Sequence, residues 1–294
     1  MRELKTPLNF SDQIERLIKY HNLTIDDPEK AISILMKVNY YRLSGYGIGL
    51  KKKDDKEKYR DGLKLEDLYS LYIFDIKLRN VIFHAIEHIE IKLRCELSYL
   101  LAIKYGAAGY LDFNNFECGK EKHDAFINKF YEEVNRQRNI PFVKHHIHNY
   151  DNRFPIWVAV ELLSFGSLSK LYSYLKKEDK KIISKKYNTD PVYLNSWIQC
   201  LVEIRNICAH FNRLYNLPFK QMPSLYKENQ IYLNKKGVHK LFPVILVMRR
   251  ILNSNDVWED LFDKLKQTID EHKDVVNLSF MDFPSDWEKV LSSN

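Results

Sequence analysis

The stretch Leu71-Tyr72-Ile73-Phe74-Asp75-Ile76-Lys77-Leu78-Arg79-Asn80-Val81-Ile82-Phe83-His84-Ala85-Ile86-Glu87-His88-Ile89-Glu90-Ile91-Lys92-Leu93-Arg94 decides the fold. Leu71, Phe74, Leu78, Ile82, Ile86, Ile89 and Leu93 recur at spacings of three and four, and Leu97 and Leu100 continue the series. That spacing stacks them along one side of an α-helix. The pattern begins at Leu65 and lasts to about Tyr105. At 1.5 Å per residue an unbroken helix of this length runs about 60 Å. Shorter helices are expected to pack along it, so the chain reads as all-α.

Upstream, residues 11–20 form an amphipathic run with Ser11 placed to cap it. A second run carries Ala31, Ile32, Leu35, Met36 and Val38, with Asp26 or Asp27 as its cap and Pro28 in its first position. Asn39 to Tyr46 follows, with two adjacent tyrosines, Arg42 and Gly45. It has two readings. Arg42 contacts nucleic acid while Tyr40 or Tyr41 stacks on a base, or the segment is a packed turn that docks the first helices onto the body. Lys51 to Lys58 is a charged, solvated loop.

Downstream, Gly106, Gly109, Asn114, Asn115 and Gly119 mark residues 106–122 as loop. His123 to Arg138 reads as a helix. Next come His145, His146 and His148, with no cysteine nearby and Asp151 the one close carboxylate. Arg136, Arg138, Lys144 and Arg153 make this region basic enough to meet a phosphate backbone. Pro155 to Tyr174 reads as a helix interrupted at Phe165-Gly166-Ser167, with Ser167 capping its second half. Lys176 to Lys186 reads as a solvated linker or helix face. Pro191 to Cys208 is again helical. After Pro218 and Pro223, weak alternation suggests a short β-hairpin near residues 226–240. Leu241–Leu252, Asp256–His272 and Trp287–Leu291 complete the helices. The expected organisation is an amino-terminal helical subdomain over 1–62, a main helical domain over 63–252 and a carboxy-terminal extension over 253–294.

Composition narrows the class. The 45% apolar content over 294 residues suits a globular chain and excludes a disordered one. The 19 Tyr and 16 Phe against nine Gly and nine Pro point to packed elements. A net charge of +7 favours acidic partners, nucleic acid among them. The four cysteines form no C-x-x-C pair, which fits a reduced, cytoplasmic protein without a disulfide framework. Met1-Arg2-Glu3-Leu4-Lys5 lacks the apolar core of a signal peptide, and no run is long enough to span a bilayer.

The chemistry concentrates at Arg205-Asn206-Ile207-Cys208-Ala209-His210, the end of the Pro191 helix. On a helical wheel Leu194, Trp197, Ile198, Leu201, Ile204 and Cys208 form one stripe, and Arg205 falls inside it. A permanently charged guanidinium there needs an acceptor or a cleft open to an anion. Glu87 and Glu90 on the long helix, and Glu161, are candidate carboxylates for it; Glu90, four residues before Arg94, is the expected partner, with Arg94 in support. Arg205 and His210 are five apart and point roughly 140° from each other on an unbroken helix. They converge if the helix stops near His210, for which Asn212 is a candidate, or if a second copy supplies the facing half. Arginine stabilises phosphate charge and histidine moves protons near neutral pH. Together they suffice for phosphodiester cleavage without a metal. R-x4-H is a loose pattern, and an arginine bonded inside the core beside an ordinary helix-end histidine produces it too.

The segment resembles the R-N-x3-H signature of HEPN ribonucleases. The wider chain resembles the abortive-infection Abi proteins of the AbiD/AbiF-like type. Asn39-Tyr40-Tyr41-Arg42-Leu43-Ser44-Gly45-Tyr46 is similar to their N-Y-Y-R-L-S-G-Y segment. Phe74-Asp75, Leu78-Arg79, Ile89-Glu90 and Leu93-Arg94 resemble their long helix. Pro155-Ile156-Trp157 and Leu163-Ser164-Phe165-Gly166-Ser167-Leu168-Ser169 match two further segments, so the likeness runs from about residue 5 to 250. The resemblance implies a HEPN-like helical bundle, RNA cleavage without a cofactor and a role in phage defence. The implied catalytic residues are Arg205, Asn206 and His210. The implied partners are an RNA substrate, a second copy of the chain and, in relatives of this type, a structured non-coding RNA. Candidate RNA contacts are Arg42, Tyr41, Arg79, Lys144, Arg153 and Arg213. The alternative is an RNA-binding protein with the same fold that acts by sequestration.

Two patterns in the long helix compete with this reading. Arg79-Asn80-Val81-Ile82-Phe83-His84 repeats the R-N-x3-H spacing, but its neighbours show no similarity to residues 191–216. His84-Ala85-Ile86-Glu87-His88 matches the H-x-x-E-H of zinc peptidases, but no third ligand is identifiable, so no metal site is expected.

Overall fold

The computed structural model describes residue 4 and residues 6–232, 240–252 and 256–292. It is built from α-helices with short 3₁₀ turns, and among the described residues there is no β-sheet, only isolated bridges such as Lys51–Tyr59. The fold is all-α.

The organising element is the fourth helix. Before it come α1 (Phe10–Lys19), α2 (Pro28–Lys37) and the one-turn α3 (Tyr40–Ser44). Asn9, not Ser11, caps α1, because its Oδ1 accepts the Asp12 amide at 2.9 Å. Asp27 caps α2 with Pro28 in the first position. Asn39 caps α3 by accepting the Arg42 amide at 2.9 Å. α4 (Leu65–Tyr105) is one helix of 41 residues. Leu71, Phe74, Leu78, Ile82, Ala85, Ile86, Ile89, Leu93, Leu97 and Leu101 along it are almost wholly buried. Each large one stabilises the fold by roughly 1.5–3 kcal/mol relative to exposure. Leu100 is only half-buried, and Leu101 takes the inner position at that turn.

Past Gly106, which ends α4 with φ +81°, the glycine-rich stretch folds into two 3₁₀ turns. α5 (Lys120–Arg136), α6 (Pro141–Asn149), α7 (Ile156–Leu162), α8 (Phe165–Tyr174), α9 (Lys177–Lys185) and α10 (Pro191–Ala209) follow. One of these differs from the sequence expectation and two settle what it left open. The histidine-rich segment is a helix, started by Pro141. The lysine-rich segment 177–185 is a helix as well, because Ile183 is buried on its inner side. The break after α7 falls at Leu163-Ser164, and Ser164, not Ser167, caps α8 by accepting the Ser167 amide at 3.1 Å.

The expected hairpin near 226–240 is not formed where the chain is described. Lys227–Tyr232 is a 3₁₀ turn, and residues 233–239 lie outside the described residues. Ring stacking takes the place of a ladder. Tyr226 stacks on Tyr193 at 4.2 Å, and the Arg250 guanidinium lies 4.1 Å from the Tyr226 ring centroid. α11 (Leu241–Leu252), α12 (Asp256–Asp270) and α13 (Trp287–Ser292) close the fold. α7, α10 and α12 pack most extensively on α4, and one apolar core runs from Ile14 on α1 to Leu291 on α13. No helix among the described residues is long and apolar enough to cross a membrane.

Candidate functional site

α10 runs antiparallel to α4, so its last turns pass Glu90 first and Asp75 last. Arg205 Nε lies 3.8 Å from Glu90 Oε2, while Glu90 Oε1 takes a hydrogen bond from Arg94 Nη2. Arg94 is itself fixed by the α7–α8 junction, donating to the carbonyls of Val160 and, at 2.7 Å, Leu163. Glu90 thus stands between two guanidinium groups, and the trio keeps one net positive charge. The expected Glu90–Arg205 and Glu90–Arg94 contacts both form.

Arg205 is about one-third exposed, and its bonding is incomplete. At 3.8 Å the Glu90 contact is an ion pair without a hydrogen bond, and Nε, itself buried, has no hydrogen-bond partner among the described residues. Nη1 reaches only the neighbouring Asn206 Oδ1, at 3.4 Å. The Nη groups therefore retain donors for an incoming anion. Arg205 faces a cleft of about 240 Å³ that Phe83, Glu87, Glu90, Ile91 and Arg94 also line. Phe83 borders a second, larger cleft of about 750 Å³ as well, lined by Arg42, Arg79, Asn80, Cys208, Ala209 and Phe211 among others. The two adjoin at Phe83 along the α4–α10 seam.

His210 sits where α10 stops. It is the C-cap, and Phe211 follows with φ +56°. The Phe211 amide donates to the Cys208 carbonyl at 3.1 Å and the Asn212 amide to the Ile207 carbonyl at 3.0 Å. This is the Schellman arrangement with phenylalanine in the left-handed position that glycine usually takes. The stop is therefore Phe211, and Asn212 contributes only its amide. His210 and Asn206 are exposed, and among the described residues neither Arg205 nor the Asn206 side chain bonds the His210 ring.

A network that the sequence reading did not assign anchors the exit from this motif. The fully buried Asp75 on α4 accepts the amides of Leu214 at 2.9 Å and Tyr215 at 2.6 Å on Oδ1. Its Oδ2 accepts the Tyr46 hydroxyl at 2.8 Å and Arg79 Nη1. Burial pushes the Asp75 carboxyl above the ordinary aspartate range, against the pull of Arg79 and the other donors. Arg42 Nη1 adds a bond from α3 to the Phe211 carbonyl at 2.8 Å. The Asn39–Tyr46 segment and the loop after His210 are thereby tied together through α4. The available signal was a carboxylate on the apolar stripe, four residues before an arginine.

The six candidate RNA contacts separate into two places. Arg42, Arg79 and Arg213 gather at the end of α10, with Tyr41, 90% exposed, on α3 beside them. Arg79 is buried and committed to Asp75, with a second bond to the Asn212 carbonyl at 3.4 Å. Arg213 lies 6.0 Å from the Tyr46 ring centroid, and burial lowers its pKa. Arg42 remains exposed. Lys144 and Arg153 are exposed on α6 and the turn after it, and Arg153 borders a different cleft, beside Ala107. That cleft is about 22 Å beyond Glu90 along the α4 axis at 1.5 Å per residue. His84 and His88 meet edge to face at 4.7 Å, and among the described residues no cluster of three metal-ligating side chains forms.

Comparison with curated proteins and with solved structures finds no match. The family model described as Abi-like protein matches residues 33–216. That span runs from the α2 helix through α3, α4 and the Arg205–His210 motif to the Asp75-anchored loop, more than half of the chain. The protein therefore belongs to the Abi-like family, which associates it with abortive-infection defence against phage.

Proposed function

We propose that the protein is a metal-independent HEPN-type endoribonuclease whose site is the α4–α10 groove. The observation that carries the reading is Arg205, about one-third exposed with Nη donors toward the groove, in the last turns of α10 before an exposed His210. The RNA 2′-hydroxyl attacks the adjacent phosphorus, and the bond to the 5′-oxygen of the next nucleotide breaks. His210 transfers a proton, from the 2′-hydroxyl or to the leaving 5′-oxygen. Arg205 stabilises the charge that builds on the phosphoryl oxygens. Asn206 holds the phosphate or orients Arg205. The products carry a 2′,3′-cyclic phosphate and a 5′-hydroxyl. Because residues five apart on a helix point in different directions and no hydrogen bond joins Arg205 to His210 among the described residues, the reading calls for two chains. A two-fold dimer that faces the grooves brings the Arg205 of one protomer to the His210 of its partner.

The test is cleavage of cellular RNA in excess chelator by the wild type and by Arg205→Ala and His210→Ala, each checked for wild-type thermal melting. Loss of cleavage in both variants, with cyclic-phosphate ends on wild-type products, is expected. Cleavage surviving both substitutions refutes the assignment. The same separation of Arg205 from His210 favours a second reading, RNA sequestration, if the chain proves monomeric. Retained RNA affinity in a monomer that cuts nothing would establish it.

A further inference from the structure

The cleft at the far end of α4 carries exposed side chains that the proposed chemistry does not use. Trp157, in the first turn of α7, is 53% exposed, whereas Trp197, Trp258 and Trp287 are buried. Tyr150 is 50% exposed on the opposite flank. Its ring stacks on His146 at 5.1 Å and 25°, and His146 stacks in turn on the buried Phe154 at 5.3 Å and 18°. The Tyr150 ring is thus backed by two further rings. Ala107 and Ala108 also line the cleft, which holds about 460 Å³.

The turn that frames the cleft is set by its backbone. Asp151 and Asn152 are both left-handed, at φ +54° and +57°, and the Asn152 amide bonds the Ile147 carbonyl at 3.3 Å. Arg153 leaves this turn with Nε donating to the Tyr150 carbonyl at 3.2 Å. Among the described residues its two Nη groups have no protein acceptor. Lys144, Arg138, His145 and His148 are exposed nearby, with Asp151 the acid of the turn. The cleft therefore combines open aromatic faces, small lining residues and a fixed guanidinium with free donors. Unpaired nucleobases stack on such faces whatever their identity, and the adjoining phosphate takes the arginine.

We propose that the Ala107–Trp157 cleft binds an unpaired nucleotide of single-stranded RNA, its base against Trp157 and its phosphate on Arg153. The polymer is taken from the proposed RNA cleavage, but the site is separate from the motif groove. It lies about 22 Å from the level of Glu90 along α4, so one strand can engage both.

Trp157 is also the reporter, since the other three tryptophans are buried. The full-length protein is titrated with a 2′-O-methyl oligoadenylate of about ten nucleotides, within the usual range for one single-strand site. Such a strand has no 2′-hydroxyl to attack, so binding is read apart from cleavage. Intrinsic fluorescence is expected to fall on binding, while the same sequence as a duplex leaves it unchanged. By anisotropy of a labelled strand, Trp157→Ala weakens binding between about fivefold and a hundredfold, the loss of one stacked base. Trp157→Phe retains most of the affinity. Arg153→Ala lowers the slope of log affinity against log salt by about 0.7, one phosphate's share on a single strand. Wild-type affinity in Trp157→Ala, or saturated binding without a fluorescence change, overturns the proposal, even if Arg205 and His210 prove essential for cleavage. Quenching by adenosine monophosphate alone, with no affinity for the strand, also overturns it and makes the cleft a small-ligand site. Quenching by the strand in a protein that cuts no RNA upholds the cleft and removes the nuclease reading. A protein that binds neither strand nor nucleotide overturns the cleft and leaves the cleavage assignment to the Arg205 and His210 variants.

Discussion

Replacing Asp75 by Asn isolates the buried ion pair behind the motif. Asn keeps an Oδ1 for the Leu214 and Tyr215 amides, which now donate to Asp75 Oδ1 at 2.9 and 2.6 Å. Its Nδ2 replaces Oδ2, and the Tyr46 hydroxyl can rotate to accept from it. Only Arg79 loses its partner, because an amide NH₂ facing a guanidinium sets donor against donor. Arg79 is 5% exposed, so its charge is stranded in the core. Breaking a buried pair in this way costs about 3–5 kcal/mol. With an unfolding entropy near 2.1 cal/mol/K per residue over 294 residues, that lowers Tm by about 5–8 °C. Urea and thermal unfolding followed by circular dichroism measure both quantities. Adding Arg79→Met to Asp75→Asn removes the stranded charge and should regain at least half of the loss, since a buried pair stabilises little over apolar replacements. Asp75→Asn with less than about 1 kcal/mol of destabilisation, or a double variant no better than the single, refutes the pairing argument.

Further expectations follow from single contacts. Glu90→Gln removes the one carboxylate shared by Arg94 and Arg205; a stability loss of about 1–3 kcal/mol and slower RNA cleavage are expected, and a variant unchanged in both would show that Glu90 does not position Arg205. A methyl group on Gly47 would lie 2.3 Å from Cε1 of the fully buried Tyr59, whose hydroxyl is bonded to Tyr40. Gly47→Ala should therefore lower unfolding free energy by about 1–3 kcal/mol, the usual cost of overpacking. Burial pushes the Cys208 thiol from 9.0 up to about 12. The unfolded thiol ionises first as pH rises, so this group's contribution is intact below pH 9 and is lost between there and about 12. The wild type should lose about 1.4 kcal/mol per pH unit relative to Cys208→Ala in that window; parallel pH profiles would contradict it. Phe211→Gly relieves a left-handed residue and should hold or raise stability by about 1 kcal/mol, so a clearly lower Tm would mean that the exposed ring packs on something.

The helices were readable because their determinants are local. The three- and four-residue spacing in Leu65–Tyr105, the Asp27-Pro28 start of α2 and the Pro191 start of α10 each act within a turn or two of chain. The Arg205–Glu90 contact was also legible, because a permanent charge on an apolar stripe demands an acceptor and Glu90 sits on the longest neighbouring helix. Where cap competition was close the sequence misled, as at Asn9 against Ser11 and Ser164 against Ser167. The alternation after residue 226 misled because stacking of Tyr226 on Tyr193, 33 residues away in the chain, outweighs a weak strand pattern.

What the sequence determined alone is an all-α chain with an Arg–Asn–His motif at the end of one helix, because periodicity and capping are set by neighbours in the chain. Which arginines are free and which are spent was decided by the tertiary structure. Arg79 and Arg205 both look like anion-binding residues in a list of letters. Only the antiparallel packing of α10 on α4 consigns the first to Asp75 and leaves the second with Nη donors toward a cleft. The same packing ties Asp75 to amides 139 and 140 positions away and puts Lys144 and Arg153 at the opposite end of α4 from the motif. A charge's fate depends on what the fold brings against it, and that information is spread over the whole chain.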